Sequence, residues 1–447
     1  MNRDNLDFRN EKIGRLFRSL FFPTLVAMVF NSVLNICDGM FVGHGVGPDA
    51  LAAINIVAPY FMLSIGIGLM FGFGASVIGS IRLSENNLKA ARIIMTQAYI
   101  AGALIFGTII IFSYLYMDAI LTALGCSARL LDYARTYLFW LLPGFFFYYL
   151  QSVGMMLIRL DGSPKYAMSV QVVAAILNII LDWVMVFPLG MGIKGASIAT
   201  SLSCVAGGCM VVFYFIYFSH QLKFYRLKCT WTSFKLTLRN IGYMARIGFA
   251  TFLQEIAMGI MMITGNYMFL SRLGEGGVAA FSVGCYLFPI IFSISNAVAQ
   301  SSQPIISYNY GSRNMERVCR ALRIALGTAV ISGLLITLCM WTGSPLLSLV
   351  FLPAGSEAYE IASKGLPLLG LCALFFAVNI TFIGYYQSIE KVVISTVYSM
   401  LRGIIFVIPA FMCLPSLIGN TGLWLALPVA EVATMLTIIA VYMVRKL

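Results

Sequence analysis

The acids that stand inside long apolar runs are the residues of this chain best placed to do chemistry. A charge at membrane depth is costly, so it commonly marks an ion path or a paired network. Asp38 stands in FNSVLNICDGMF, fifteen residues after Pro23, with Asn31 and Asn35 before it at helical spacing and so on one face. Farther along, AAILNIILDWV puts Asn178 and Asp182 at i and i+4, one turn apart. If those two segments face each other, two carboxyls share one dry pocket and cannot both remain bare anions. Either one takes up a proton or the pair holds a cation, which makes the pocket a titratable switch. The competing reading is a buried polar network that only holds helices together. Pro23 supplies a hinge, because proline lacks the donor that would keep a helix straight. A second group is Glu255, Arg402 and Glu431. An Arg and two Glu at depth neutralise each other best when adjacent, so a trio with one spare negative charge is expected, either as a structural clamp or as part of coupling.

The elements that must carry these residues are membrane helices. Hydrophobic residues make up 60% of the chain and charged ones 10%, against roughly 45–50% and about 25% in soluble domains. Apolar runs such as LIFGTIIIFSYLYM from Leu104 and AVISGLLITLCMW from Ala329 extend to the roughly 20 residues that cross a bilayer core. Blocks of this kind are centred near residues 28, 62, 102, 144, 177, 207, 258, 292, 331, 373, 403 and 433, which predicts twelve spans. With the N-terminus cytoplasmic, Arg129, Arg135, Lys194, Arg272 and Lys364 fall outside and Arg402 within a span, leaving 23 of the 29 Lys and Arg inside. A missed or extra helix would scramble that alternation. The same bias accounts for the net charge of +12, so no nucleic-acid partner is expected. The polar start MNRDNLDFRNEKIGRLFRSL lacks the h-region and cleavage site of a secretory signal, and the first helix is expected to stay in the protein.

Sliding the chain by 228 residues aligns IGRLFRSLFFPTL from Ile13 with IGYMARIGFATFL from Ile241. Two halves of six helices are implied. Six is even, so both halves enter from one face and should be related by a pseudo-two-fold axis along the membrane normal. The expected division is an N-lobe over residues 1–220, a basic cytoplasmic linker over 221–240 that is solvated or lies on a surface, and a C-lobe over 241–447. Ten cysteines are scattered with no CxxC pair, which reads as small apolar packing residues. No Gly-Lys dipeptide occurs, so the phosphate-cradling loop of an ATPase is absent. The two histidines, His44 and His220, lack the neighbours of a metal or nucleophile site. An intramembrane enzyme is therefore disfavoured. Asn35, Asn55, Gln151 and Gln300 are polar residues that could reach a substrate cleft, and some of the 24 methionines and many aromatics could line it.

With these motifs in hand, the chain resembles the multidrug and toxic compound extrusion (MATE) family, in its DinF-like and MepA-like branch. The likeness covers essentially the whole length and rests on the paired halves, on DGMFVGHGVGPDALAAINIVAP from Asp38 and on QPIISYNYGSRN from Gln303. It implies an all-α integral membrane protein of the MATE/MOP fold in the bacterial inner membrane, multi-pass, with both termini cytoplasmic. It also implies proton- or sodium-coupled efflux of amphipathic, often cationic compounds, with no cofactor, and a monomer in contact with membrane lipid is expected. In that branch Pro23, Asp38, Asn178 and Asp182 correspond to the cation-responsive site, and Thr200 in GASIATS to a further ligand, so a sodium ion at Asp38, Asn178, Asp182 and Thr200 is the one metal expected. One departure stands out: the acid that a sister branch uses in the tenth helix is missing from LPLLGLCALFFAVNITFIGYYQ. A flippase for a lipid-linked precursor is the main rival, although it should carry several basic cavity residues and only Arg402 qualifies.

Overall fold

The computed structural model describes residues 6–444, without the side-chain surroundings of residues 35, 36, 39, 43, 44, 48, 51 and 442–444. Asn35 and His44 therefore lie outside the described side chains. The described residues form helices and loops: α1 (Ile13–Gly45), α2 (Pro48–Ser84), α3 (Leu88–Leu115), α4 (Met117–Ala123), α5 (Leu131–Leu160), α6 (Pro164–Val186), α7 (Gly192–Phe213), α8 (Trp231–Gly311), α9 (Met315–Phe351), α10 (Glu357–Gly370), α11 (Cys372–Ser388), α12 (Val392–Met400), α13 (Val407–Ile418) and α14 (Thr421–Val444). Helix starts follow local chemistry. Asn87 caps α3 by accepting from the Ala90 amide at 3.1 Å, Thr230 caps α8 through the Ser233 amide at 3.2 Å, and Pro164 opens α6 where no amide donor is needed.

Eleven of the described helical stretches are long and apolar enough to cross a bilayer. The 81-residue α8 counts twice, because Gly274 at φ 66° takes a left-handed conformation that interrupts the helix. Twelve spans result, and each expected centre falls within a helical segment. Two spans of the second half are discontinuous. The tenth breaks at Leu371 between α10 and α11, where Thr337 of α9 donates to the Gly370 carbonyl at 2.8 Å. The eleventh widens over Leu401–Ile405 between α12 and α13, marked by the Phe406 amide reaching back five residues to the Leu401 carbonyl at 2.9 Å. Such wide turns recur at functional positions.

The chain divides into two compact units, one of residues 1–252 with 307–314, the other of residues 253–306 with 315–447. In the first unit small residues let helices meet closely, as expected where lipid supplies no hydrophobic drive. On the α5–α7 seam a methyl group at Gly144 would press on Ser201, one at Gly208 on the Phe147 carbonyl, and one at Gly207 would collide with the Gln151 amide. Gly74 of α2 faces the Met244 carbonyl of α8, and Gly248 of α8 faces the Met70 carbonyl of α2, with no room for a methyl group at either glycine. In the second unit Phe269, Phe281 and Trp424 stack at the core, with centroids 4.5 Å apart for the first pair and 4.9 Å between Phe269 and Trp424.

Candidate functional site

In the first unit α1 packs along α6 and brings the two acids of the sequence reading together. Asp38 lies close enough to Asp182 for their charges to interact, and Tyr137 of α5, itself buried, lies within electrostatic reach of both. Asp182 is 1% exposed, and neither of its carboxylate oxygens has a hydrogen-bond partner; the same holds for Oδ1 of Asp38. Buried polar groups are almost always paired, so unpartnered carboxylate oxygens need an explanation. One turn from Asp182, Asn178 is equally buried and its Nδ2 lies 3.5 Å from Oγ1 of Thr200, which itself donates to the Ala196 carbonyl at 3.1 Å. Asn178 and Thr200 thus meet one turn along α6 from Asp182. Pro23 lies fifteen residues before Asp38 inside a helix that continues through it.

A second polar layer joins Asn31 and Gln151 through Gln171, the member that the sequence reading missed. Gln151 of α5 donates to Gln171 of α6 at 2.9 Å, and Gln171 donates to Asn31 of α1 at 2.9 Å. Gln151 is buried at 3% exposure and accommodated by Gly207. The ladder therefore ties α5, α6 and α1 together about two turns before Asp38 on α1 and three before Asp182 on α6. Gln171 stands two turns before Asn178 on α6, a spacing that would have placed it on the same face. Asn55 is exposed on α2, and Gln300 is buried in α8 with a partner of its own.

In the second unit Arg402 and Glu431 meet, with Nε of Arg402 donating to Oε1 of Glu431 at 2.7 Å. Asn379 of α11 donates to the other carboxylate oxygen at 2.7 Å and to the Glu431 carbonyl at 2.9 Å. The guanidinium lies 3.9 Å from the ring centre of Phe376, whose ring edge packs on Phe288 at 5.2 Å. Glu255 joins neither partner. From the part of α8 before Gly274, the residues that face the pair across a small cavity are Gln254, Ala257, Met258 and Met261, the i, i+3, i+4, i+7 stripe of one helix face. Glu255, one position on, points about 100° away around the helix. The expected trio is thus a pair plus Asn379, and the signal for Asn379 was a lone amide in the apolar run LCALFFAVNITFIG, the span in which the missing acid was sought.

A third polar centre closes the C-terminal end of α5. Asp161 accepts the amides of His220, Gln221 and Leu222 at 2.7–2.8 Å and the Tyr214 hydroxyl at 2.8 Å. The linker, expected to be solvated or to lie on a surface, is clipped at its start, with Leu222 fully buried.

The MatE family model matches residues 23–184 and again 247–412, and the chain belongs to that family of multi-pass membrane proteins. The two matched stretches end 228 residues apart, at 184 and 412, the register of the internal repeat. Among known proteins the chain is similar to the multidrug export protein MepA of Staphylococcus saprophyticus, 23% identical over 95% of this chain and 92% of that one. It is likewise similar to MepA of Staphylococcus aureus strain MRSA252, 23% identical over 98% and 95%. Among solved structures it matches a multidrug resistance MATE family transporter of the MOP superfamily in an outward-facing conformation, with a TM-score of 0.90 and 21% identity over 98% and 96% of the two chains.

Proposed function

We propose that the protein is a secondary active multidrug exporter of the bacterial plasma membrane, driving amphipathic, often cationic compounds outward by antiport against protons or sodium ions. The observation that carries the coupling is the unpartnered carboxylate of Asp182 beside Asp38. An environment that leaves those oxygens without donors is stable only when a positive ion neutralises them. The MepA relatives support the substrate class. Both termini are cytoplasmic, the 1–220 and 241–447 halves are the functional lobes, and the protein works as a monomer without a cofactor and without enzymatic chemistry.

In this reading, ion uptake at Asp38 and Asp182, with Asn178 and Thr200 as neutral donors, removes the repulsion between α1 and α6. α1 then bends at Pro23 and reshapes the cavity that holds the substrate. One charge moving through about 100 mV supplies about 2.3 kcal/mol, enough for roughly a 40-fold gradient. A flippase reading is weakened by the pairing of Arg402 with Glu431, which occupies a buried cation that a pyrophosphate would need.

The test is dye efflux from energised membrane vesicles with sodium and pH varied independently. Export that follows either ion gradient, and is lost in Asp182→Asn, supports the proposal. Export indifferent to both gradients, or unchanged in that variant, overturns it.

A further inference from the structure

The connector between the halves and the first turns of α8 carry a surface that the transport reading leaves unused. Residues 220–240 contain no acid, and Lys223, Arg226, Lys228, Lys235 and Arg239 are all exposed. Trp231, Phe234 and Leu238 are 70%, 57% and 62% exposed. At about 100° per residue these three fall on one arc of the helix, and Lys235 and Arg239 fall on the arc beside it. The opposite arc is the docked one: Thr237 accepts from Gln97 of α3 at 2.9 Å, and Asn240 donates to Gln97 at 2.9 Å. Trp231 stacks on Phe234 with centroids 5.6 Å apart, and Lys235 sits 5.5 Å over the Trp231 ring.

The docking fixes depth. Thr237 is level with Gln97, and at about 1.5 Å per residue Trp231 lies about 9 Å nearer the helix start. That is the level of Lys89 and Arg92, where the apolar run of α3 begins. Lys89 lies over the Tyr225 ring at 5.8 Å and Arg92 donates to the Gln221 carbonyl at 2.8 Å, so the connector follows the same rim. An aromatic pair with a basic flank at the mouth of an apolar span is the composition of an interfacial anchor.

We infer that Trp231, Phe234 and Leu238 lie among lipid and that Lys228, Lys235 and Arg239 with their neighbours bind the head groups of anionic phospholipids in the cytoplasmic leaflet. Charge complementarity selects that occupant: seven basic groups face one rim, and each is worth a several-fold gain in affinity for an anionic surface. The inference is independent of the substrate and of the coupling ion.

The experiment uses the full-length protein in detergent, given equimolar phosphatidylglycerol and phosphatidylcholine and read by native mass spectrometry. The wild type is expected to retain phosphatidylglycerol over phosphatidylcholine by roughly tenfold, and Lys228→Gln/Lys235→Gln/Arg239→Gln to retain the two nearly equally. Equal retention by the wild type, or an undiminished preference in a monodisperse triple variant, overturns the inference. Should the triple variant aggregate, vesicles decide instead. The fluorescence lost in Trp231→Phe isolates the Trp231 emission, which should be quenched more by acyl-brominated phosphatidylglycerol than by acyl-brominated phosphatidylcholine. Equal quenching by the two lipids, or none by either, overturns the assignment.

Discussion

Arg402 holds Glu431 from a turn in which the helix is wound one residue wider than usual, with the two side chains only 7% and 4% exposed and 2.7 Å apart. The widening brings a long cationic side chain onto Phe376 and a carboxylate at once. Asn379 supplies the carboxylate's remaining donor, so both oxygens of Glu431 are partnered where those of Asp182 are not, while Nη1 of Arg402 and Oδ1 of Asn379 stay without a hydrogen bond. The two units therefore contain buried acids of opposite character, one whose carboxylate is neutralised within the protein and one whose carboxylate oxygens have no partner.

Breaking the Arg402–Glu431 pair from one side should be costly. Arg402→Met leaves a buried carboxylate with only Asn379, and a loss of about 3–5 kcal/mol is expected. Arg402→Met/Glu431→Leu should recover most of that loss, since an apolar pair of similar volume carries no stranded charge. Thermal unfolding of the detergent-solubilised variants checks the order, and a double variant less stable than either single would refute it.

The unsatisfied acid should behave in the reverse way. Asp182→Asn removes a charge that nothing in the protein stabilises, so the melting temperature should hold or rise. Dye export should fall by about tenfold or more, since even about 1.4 kcal/mol of lost coupling is worth a decade. Loss of stability together with loss of export would instead point to a structural role. Asp38→Asn should show the same split.

Gly207→Ala should disrupt the ladder on α5, α6 and α1. The added methyl would run into the Gln151 amide and push it off Gln171, at about 1–3 kcal/mol for an overpacked seam. Shortening the clashing side chain, in Gly207→Ala/Gln151→Ser, should restore part of the melting temperature. A single variant as stable as the wild type would show that the seam relaxes freely.

Asp161→Ala should free the start of the connector. Four donors would lose a charged acceptor, each such bond being worth about 1.5–3 kcal/mol. Tryptic cleavage after Lys223, Arg226 or Lys228 should then become faster in the folded protein. Cleavage at the wild-type rate would show that the buried Leu222 and the Tyr225 amide bond to Thr96 at 2.9 Å suffice to hold it.

Much of the architecture was legible because lipid imposes it. Long apolar runs and the one-sided distribution of Lys and Arg gave all twelve spans, and the repeat reappears as two matches to one family model. The helical periods around Asp38, Asn178 and Asp182 also carried over, since i and i+4 share a face wherever a helix is regular. The second half was harder to read for the same reason. Glu255 lies one position off the stripe that faces Arg402, and without a partner helix in view no period says which stripe faces inward. The wide turn at Leu401–Ile405 shifts Arg402 again, and a break in periodicity leaves no trace in residue spacing. The clip on Asp161 was invisible because it binds backbone amides, which every residue but proline carries.

At the reciprocal crossing of α2 and α8, Gly74 and Gly248 set main chain against main chain, with no side chain between to deform. Two rods seated this way behave like meshed gear teeth without play: a turn of one must be followed by the other, while sliding is blocked. A bulkier residue at either glycine would prise the teeth apart, so mechanical fidelity at that crossing rests on two missing methyl groups.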